Sequence, residues 1–362
     1  MLLHGIDELL LFLLTRKYQL LNHKIMADLR TNYLGIQLKN PVIAGASNMV
    51  TSTDNLKALE DSGAAAIVYK SLFEEQIQLE RYEMESQMQD YNDRHAEMIS
   101  LFPGIQHAGP QAHLVNLRKA RETVKIPLFA SLNAIYKESW IEYAKLIQET
   151  GVDGLELNFY FIPVNFDKEG RSIIKEQVEI LIEVKKNVSI PVSIKLSPVY
   201  TNALKVITEM DKAGADGFVL FNKMFEPEID TDTEEHFSPF NLSSESDHRL
   251  PLRYAGLLHG KVKASLCSST GIFTGADVIR MILAGADTVQ IVSTLYKNKI
   301  QHLSTMIREI EEWMNKKNYS SLKDFRGKLS EKNTVNPYTY KRAQYIDLLL
   351  KSGDLMKSYS LR

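Results

Sequence analysis

Two lysines and three asparagines stand at or near the ends of apolar, β-branched segments: Lys70, Asn133, Asn158, Lys195 and Asn222. Lysine is seldom buried without a partner, so Lys195, flanked by Ile194 and Leu196, is expected to face something negative rather than snorkel at an edge. The asparagines offer paired donors and acceptors that suit an amide-bearing ring, although each taken singly also fits a turn cap. A second group lies in ASLCSSTGIFTGADVIRMILAGADTVQIVST, residues 264–294. Its Ser269, Thr270, Gly271, Ser293 and Thr294 fall in two turns that follow apolar segments. Backbone N–H groups, hydroxyls and a helix N-terminus together can hold a phosphate dianion, with Gly271 allowing close approach; an ordinary turn is the alternative. Ala46, Ser47, Ser71 and Tyr160 follow other segment ends and complete the candidates. The histidines show no zinc spacing, and nucleophile elbows and P-loop signatures are absent.

Such residues act together only if one frame brings them to one face. From Met26 the chain repeats an apolar segment, a polar turn and an amphipathic helix, the pattern of a parallel sheet. Strands are expected over 42–46, 65–69, 128–132, 154–157, 192–196, 217–221, 262–266 and 288–292. Helices are expected over 54–62, 138–150, 173–186, 203–213 and 275–284, several followed by glycine (Gly63, Gly151, Gly214, Gly285) as a left-handed helix end prefers. Eight such strands close a (β/α)8 TIM barrel, whose sites lie at the C-terminal ends of its strands. Two connections, residues 71–126 and 222–260, are too long for plain loops and are expected to be lids or pocket walls, with His107 a weak lid candidate. Residues 331–362 form a C-terminal helical extension whose stripe of Ile346, Leu348, Leu349 and Leu350 is expected to pack outside the barrel or on a second copy, as a homodimer.

The chain has 362 residues, 44% of them hydrophobic, enough for one barrel with insertions. A net charge of -2 gives no basic field for nucleic acid or an acidic membrane surface, so a small-molecule partner is expected. The single cysteine, Cys267, excludes an internal disulfide and fits a cytoplasmic location. The apolar run at 9–14 is too short to span a membrane and lacks signal-peptide flanks. Residues 1–25 are therefore expected to be an upstream misread start or a peripheral helix, with residues 26–330 forming the barrel.

These motifs resemble the dihydroorotate dehydrogenase family, and most closely its cytosolic class. The similarity rests on LGIQLKNPVIAGAS, the Lys70-Ser71 pair, GLELN, VSIKLSP, Phe221-Asn222, STGIFTGADV, AGADTVQIVSTLY and DFRGKLS near Asp324. The resemblance implies an FMN-dependent barrel oxidoreductase. It places the FMN phosphate on Thr270, Gly271, Ser293 and Thr294, the flavin ring near Ala46, Ser47 and Lys70, and Lys195 beside the flavin N1 and C2 carbonyl. It also implies flavin or substrate contacts for Ser71, Asn133, Asn158 and Asn222. One departure concerns chemistry. Where the family carries a cysteine or serine base after strand 4, this chain reads Asn158-Phe159-Tyr160-Phe161-Ile162-Pro163. Phe161 accepts no proton, and Tyr160, with a phenol that is a poor base near neutral pH, is the available candidate. The expectation is an FMN oxidoreductase acting on dihydroorotate or a related ring, with the pyrimidine reaction impaired. The rivals are an FMN enzyme for another ring or enone, a flavin-binding regulatory protein without turnover, and a Schiff-base aldolase using Lys195.

Overall fold

The computed structural model describes residues 27–80, 109–160, 162–240, 242–340, 343–351 and 353. The expected start segment 1–25, the acidic part of the first insertion with His107, Phe161 and the chain beyond residue 353 lie outside the described residues.

The chain opens with an antiparallel hairpin of β1 (Thr31–Tyr33) and β2 (Ile36–Leu38). Eight parallel strands follow: β3 (Val42–Ala44), β4 (Ala66–Val68), β6 (Leu128–Asn133), β7 (Gly154–Phe159), β8 (Val192–Leu196), β9 (Gly217–Leu220), β12 (Ser265–Ser269) and β13 (Thr288–Ile291). Their pairing runs in chain order from β3 round to β13, and β13 pairs back onto β3. The sheet is therefore closed, the (β/α)8 TIM barrel expected from the repeat. A short β5 (Leu72–Phe73) extends the mouth beside β6. Gly63, Gly151, Gly214 and Gly285 all adopt positive φ at the helix ends.

The barrel strands are buried on both sides, but the two sides differ. On β8 the outward Val192, Ile194 and Leu196 are fully buried beneath the helical layer, while Ser193 and Lys195 point inward. Each buried aliphatic side chain contributes roughly 1.5–3 kcal/mol, so the outer face carries the stability and leaves the inner face free for polar groups. At its N-terminal end the barrel is stoppered by Tyr33, Leu34 and Leu38 of the hairpin, packed on Phe129, Val219 and Cys267. Small inward residues make room for this plug: a Cβ on Gly217 would collide with Leu34, and one on Gly154 would lie 2.9 Å from Phe129.

Two expectations need correction. The seventh strand begins at Ser265, three residues later than its apolar start suggests. The amides of Lys263 and Ala264 bind Asp211 Oδ1 at 2.9 Å each, so pairing with β9 begins only at Ser265 opposite Gly217. The stretch 222–260 is not all insertion. It contains an exposed hairpin of β10 (Glu228–Asp230) and β11 (Glu235–Phe237), then the helix Arg249–Leu258 that completes the barrel's outer layer beside Gly275–Ala284. The C-terminal helix Ala343–Leu350 leaves Ile346, Leu349 and Leu350 exposed. The stripe therefore does not pack on this barrel, and the tail docks on it through Tyr340, whose hydroxyl donates to the Leu329 carbonyl at 2.5 Å and whose ring occupies the space a side chain at Gly256 would need. Among the described residues, no helix is long and apolar enough to cross a membrane.

Candidate functional site

A cavity of about 350 Å³ opens at the C-terminal ends of the barrel strands, within the range of roughly 300–1,000 Å³ typical of small-molecule sites. Ala46, Ser47, Lys70 and Ser71 form its wall on the first two strands; Asn158, Tyr160, Lys195 and Asn222 form the middle; Thr270, Gly271 and Ser293 form the far side. Three lysines line it, Lys70, Lys195 and Lys223, and no carboxylate, histidine or cysteine does among the described residues. Its wall is therefore suited to an anion.

Lys195 is held from below. Its Nζ lies 3.4 Å from Gln290 Oε1 and 3.8 Å from Glu156 Oε1, and Gln290 Nε2 donates to Glu156 Oε2 at 2.6 Å. Glu156 and Gln290 are each 1% exposed. The expected negative partner of Lys195 is thus within the protein, which explains how an ammonium tolerates burial in an apolar strand.

The asparagines form a ladder across strands. Asn133 Nδ2 donates to the Asn158 backbone carbonyl at 2.7 Å, and Asn222 Nδ2 donates to Asn158 Oδ1 at 2.8 Å. Asn133 lies behind the wall, while Asn158 and Asn222 face the cavity. Ser71 shares a 2.8 Å hydroxyl contact with Ser131. The Tyr160 hydroxyl accepts from the Phe225 amide at 3.0 Å, tying the end of β7 to the loop after β9. Lys223 pairs with Asp247 at 3.0 Å. Burial opposes ionisation of Asp247, but the Ser244 amide and Lys223 outweigh it and hold the carboxyl below its usual range.

At the far side, local capping decides which donors stay open. Asp277 Oδ2 accepts from the Phe273 and Thr274 amides at 3.0 and 2.9 Å, and Gly275 N donates to Glu309 at 2.6 Å. The N-terminus of helix Gly275–Ala284 is therefore already occupied by carboxylates, so of the two turns it is not the one that offers helix-end amides. Open donors lie at both turns: among the described residues, the amides of Gly271 and Ile272, and those of Ser293 and Thr294 at the start of the helix Ser293–Asn298, bind no protein acceptor. Thr270 Oγ1 donates to the Phe221 carbonyl, and the buried Thr294 hydroxyl donates to the Phe273 carbonyl, away from the cavity. Ser293 Oγ accepts from both the amide and the hydroxyl of Ser243 at 2.9 and 2.8 Å.

Gly271 has φ +74, and a Cβ there would collide with the backbone at His248. Its glycine requirement comes from packing under the 245–248 turn, beyond any approach to a ligand. Gly271→Val is expected to displace that turn and break the Lys223–Asp247 pair. Loss of ligand binding together with a proteolytic cut near residue 247, absent from the parent, checks this.

Sequence reasoning passed over Glu156, Gln290 and Ser243. Glu156 and Gln290 sit at inward positions of strands written as apolar, where a charged or amide residue was itself the available signal. Ser243 belongs to an insertion with no periodic pattern to place it. Cys267 is fully buried, and burial pushes its thiol up to about 12, so it is chemically inert.

The sequence matches the dihydroorotate dehydrogenase family over residues 28–314. It is similar to the catalytic subunit of dihydroorotate dehydrogenase B (NAD(+)) of Thermoplasma acidophilum, at 28% identity over 83% of this chain and 99% of that protein. The corresponding subunit of Methanocaldococcus jannaschii is 26% identical over 80% of this chain and 94% of its own length. A dihydroorotate dehydrogenase A (fumarate) from Lactobacillus delbrueckii subsp. bulgaricus is 26% identical over 55% of this chain and 65% of its own length. With most of the barrel covered by that match, the chain belongs to the dihydroorotate dehydrogenase family.

Proposed function

We propose that the protein is an FMN-dependent oxidoreductase acting on dihydroorotate or a related cyclic substrate, with weakened proton abstraction. The observation that carries this reading is a cavity walled, among the described residues, by three lysines and no carboxylate, with unpartnered amides at Gly271 and Ile272 on one side. That donor set fits a ligand with a phosphate at one end and a ring that gains negative charge at the other. Gly271, Ile272 and Ser293 would hold the phosphate, Ala46, Ser47 and Lys70 would flank the ring, and Lys195 would hold a fixed positive charge against it. Bound there, FMN would supply the acceptor for a hydride. Asn158 and Asn222 would orient the substrate ring through the amide and carbonyl groups they leave toward the cavity. Tyr160, tied to Phe225, would act as a wall and hydrogen-bond donor.

The purified protein is expected to be yellow, and after removal of any bound flavin its melting temperature is expected to rise on adding FMN. Colourless protein with no thermal response to FMN contradicts the reading. A second reading, a flavin-binding protein without turnover, is favoured by the lack of a carboxylate, histidine or cysteine among the described cavity-lining residues. Reduction by dithionite without reduction by any ring substrate would select it.

A further inference from the structure

The floor of the cavity carries a buried anion that does not itself reach the wall. Lys195 and Gln290 line the cavity; Glu156 lies behind them. Glu156 Oε1 has no hydrogen-bond partner among the described residues, although it lies 3.8 Å from the Lys195 ammonium. The neighbouring titratable groups are uncharged: burial pushes the Cys267 thiol up to about 12 and raises the Tyr33 phenol, and the charge of Glu156 pushes both the same way. The interior beneath the cavity is thus dominated by one cation and one anion, with Gln290 bridging them. In so dry a setting the anion alters the field of the cation strongly, because little water screens either.

Resting on the FMN reading above, we propose that Glu156 is a positioning residue that sets how much of the Lys195 charge a bound flavin feels. It thereby sets the preference of the site for oxidised over reduced FMN. The carboxylate partly cancels the ammonium toward the cavity, and through Gln290 it holds the lysine on the floor. Reduced FMN carries extra negative charge, so it gains more than oxidised FMN from any positive charge left uncompensated. Removing the carboxylate charge therefore strengthens binding of the reduced form relative to the oxidised form. A residue that only filled space would leave that relation unchanged.

The test measures dissociation constants of oxidised and dithionite-reduced FMN, under anaerobic conditions, for the full-length parent and its variants. Glu156→Gln is expected to raise the oxidised-to-reduced ratio of dissociation constants at least tenfold, equivalent to a rise of about 30 mV in a two-electron potential. Glu156→Asp withdraws the charge by one methylene and is expected to raise the ratio by less; it carries the test if the glutamine variant does not fold. Ratios equal to or below the parent's in folded variants overturn the proposal and leave the FMN reading standing. A parent protein that binds neither form of FMN overturns both.

Discussion

Mixed anaerobically with dihydroorotate, the FMN-loaded protein is expected to bleach very slowly or not at all, while dithionite reduces it fully. Oxidation of dihydroorotate couples hydride loss from C6 to proton loss from C5. A positioned general base contributes roughly 100- to 10,000-fold to such a step. The residue in the position that the family resemblance assigns to the base is Phe161, which has no group to accept a proton. The described cavity wall offers no evident replacement: the Tyr160 hydroxyl already accepts from Phe225, and Lys223 is paired with Asp247. Stopped-flow absorbance against a dihydroorotate dehydrogenase with its base intact measures the deficit. Bleaching at an ordinary family rate would mean that Tyr160, Lys70 or a residue outside the described segments takes the proton. Phe161→Cys alone is expected to restore little, because Tyr160 and Pro163 also depart from the pattern that the family resemblance implies for this wall.

The second large effect concerns the cavity floor. Lys195→Ala is expected to destabilise the protein by about 3–5 kcal/mol, because it strands the Glu156 carboxylate in a site that is almost fully buried. A reading of the strand alone treats Lys195 as a ligand-facing charge whose removal leaves the fold intact; the ion pair changes that expectation. The double variant Lys195→Met with Glu156→Gln removes both charges and is expected to recover most of the loss, since a neutral pair of similar volume avoids the desolvation cost. Urea denaturation of the three proteins without ligand checks this. A double variant as unstable as Lys195→Ala would show that packing, and not the unpaired charge, sets the cost. In the same series Lys195→Ala is expected to lower the reduction potential of bound FMN, because the remaining environment favours the neutral oxidised ring.

The repeat of apolar segment and amphipathic helix determined the architecture by itself. Parallel strands buried under helices read as continuous apolar runs, and helix ends at Gly63, Gly151, Gly214 and Gly285 are marked by a residue whose backbone requirement is local. For the same reason most strand-end candidates were legible: Ala46, Lys70, Asn158, Lys195 and Asn222 meet at one mouth because every barrel strand points its C-terminal end there. What the sequence could not decide was which of two adjacent groups faces in, and which donor is already used. Thr294 is one residue from Ser293, yet its hydroxyl is spent on the Phe273 carbonyl, and the helix at Gly275 is capped by Glu309, a residue 34 positions away. Glu156, Lys195 and Gln290 come from three strands separated by up to 134 positions, and only closure of the barrel brings them within hydrogen-bonding and ion-pair distance. Local pattern carries period and termini; the partner of a buried charge is a property of the closed sheet, because its energy depends on what lies within a few ångströms in space.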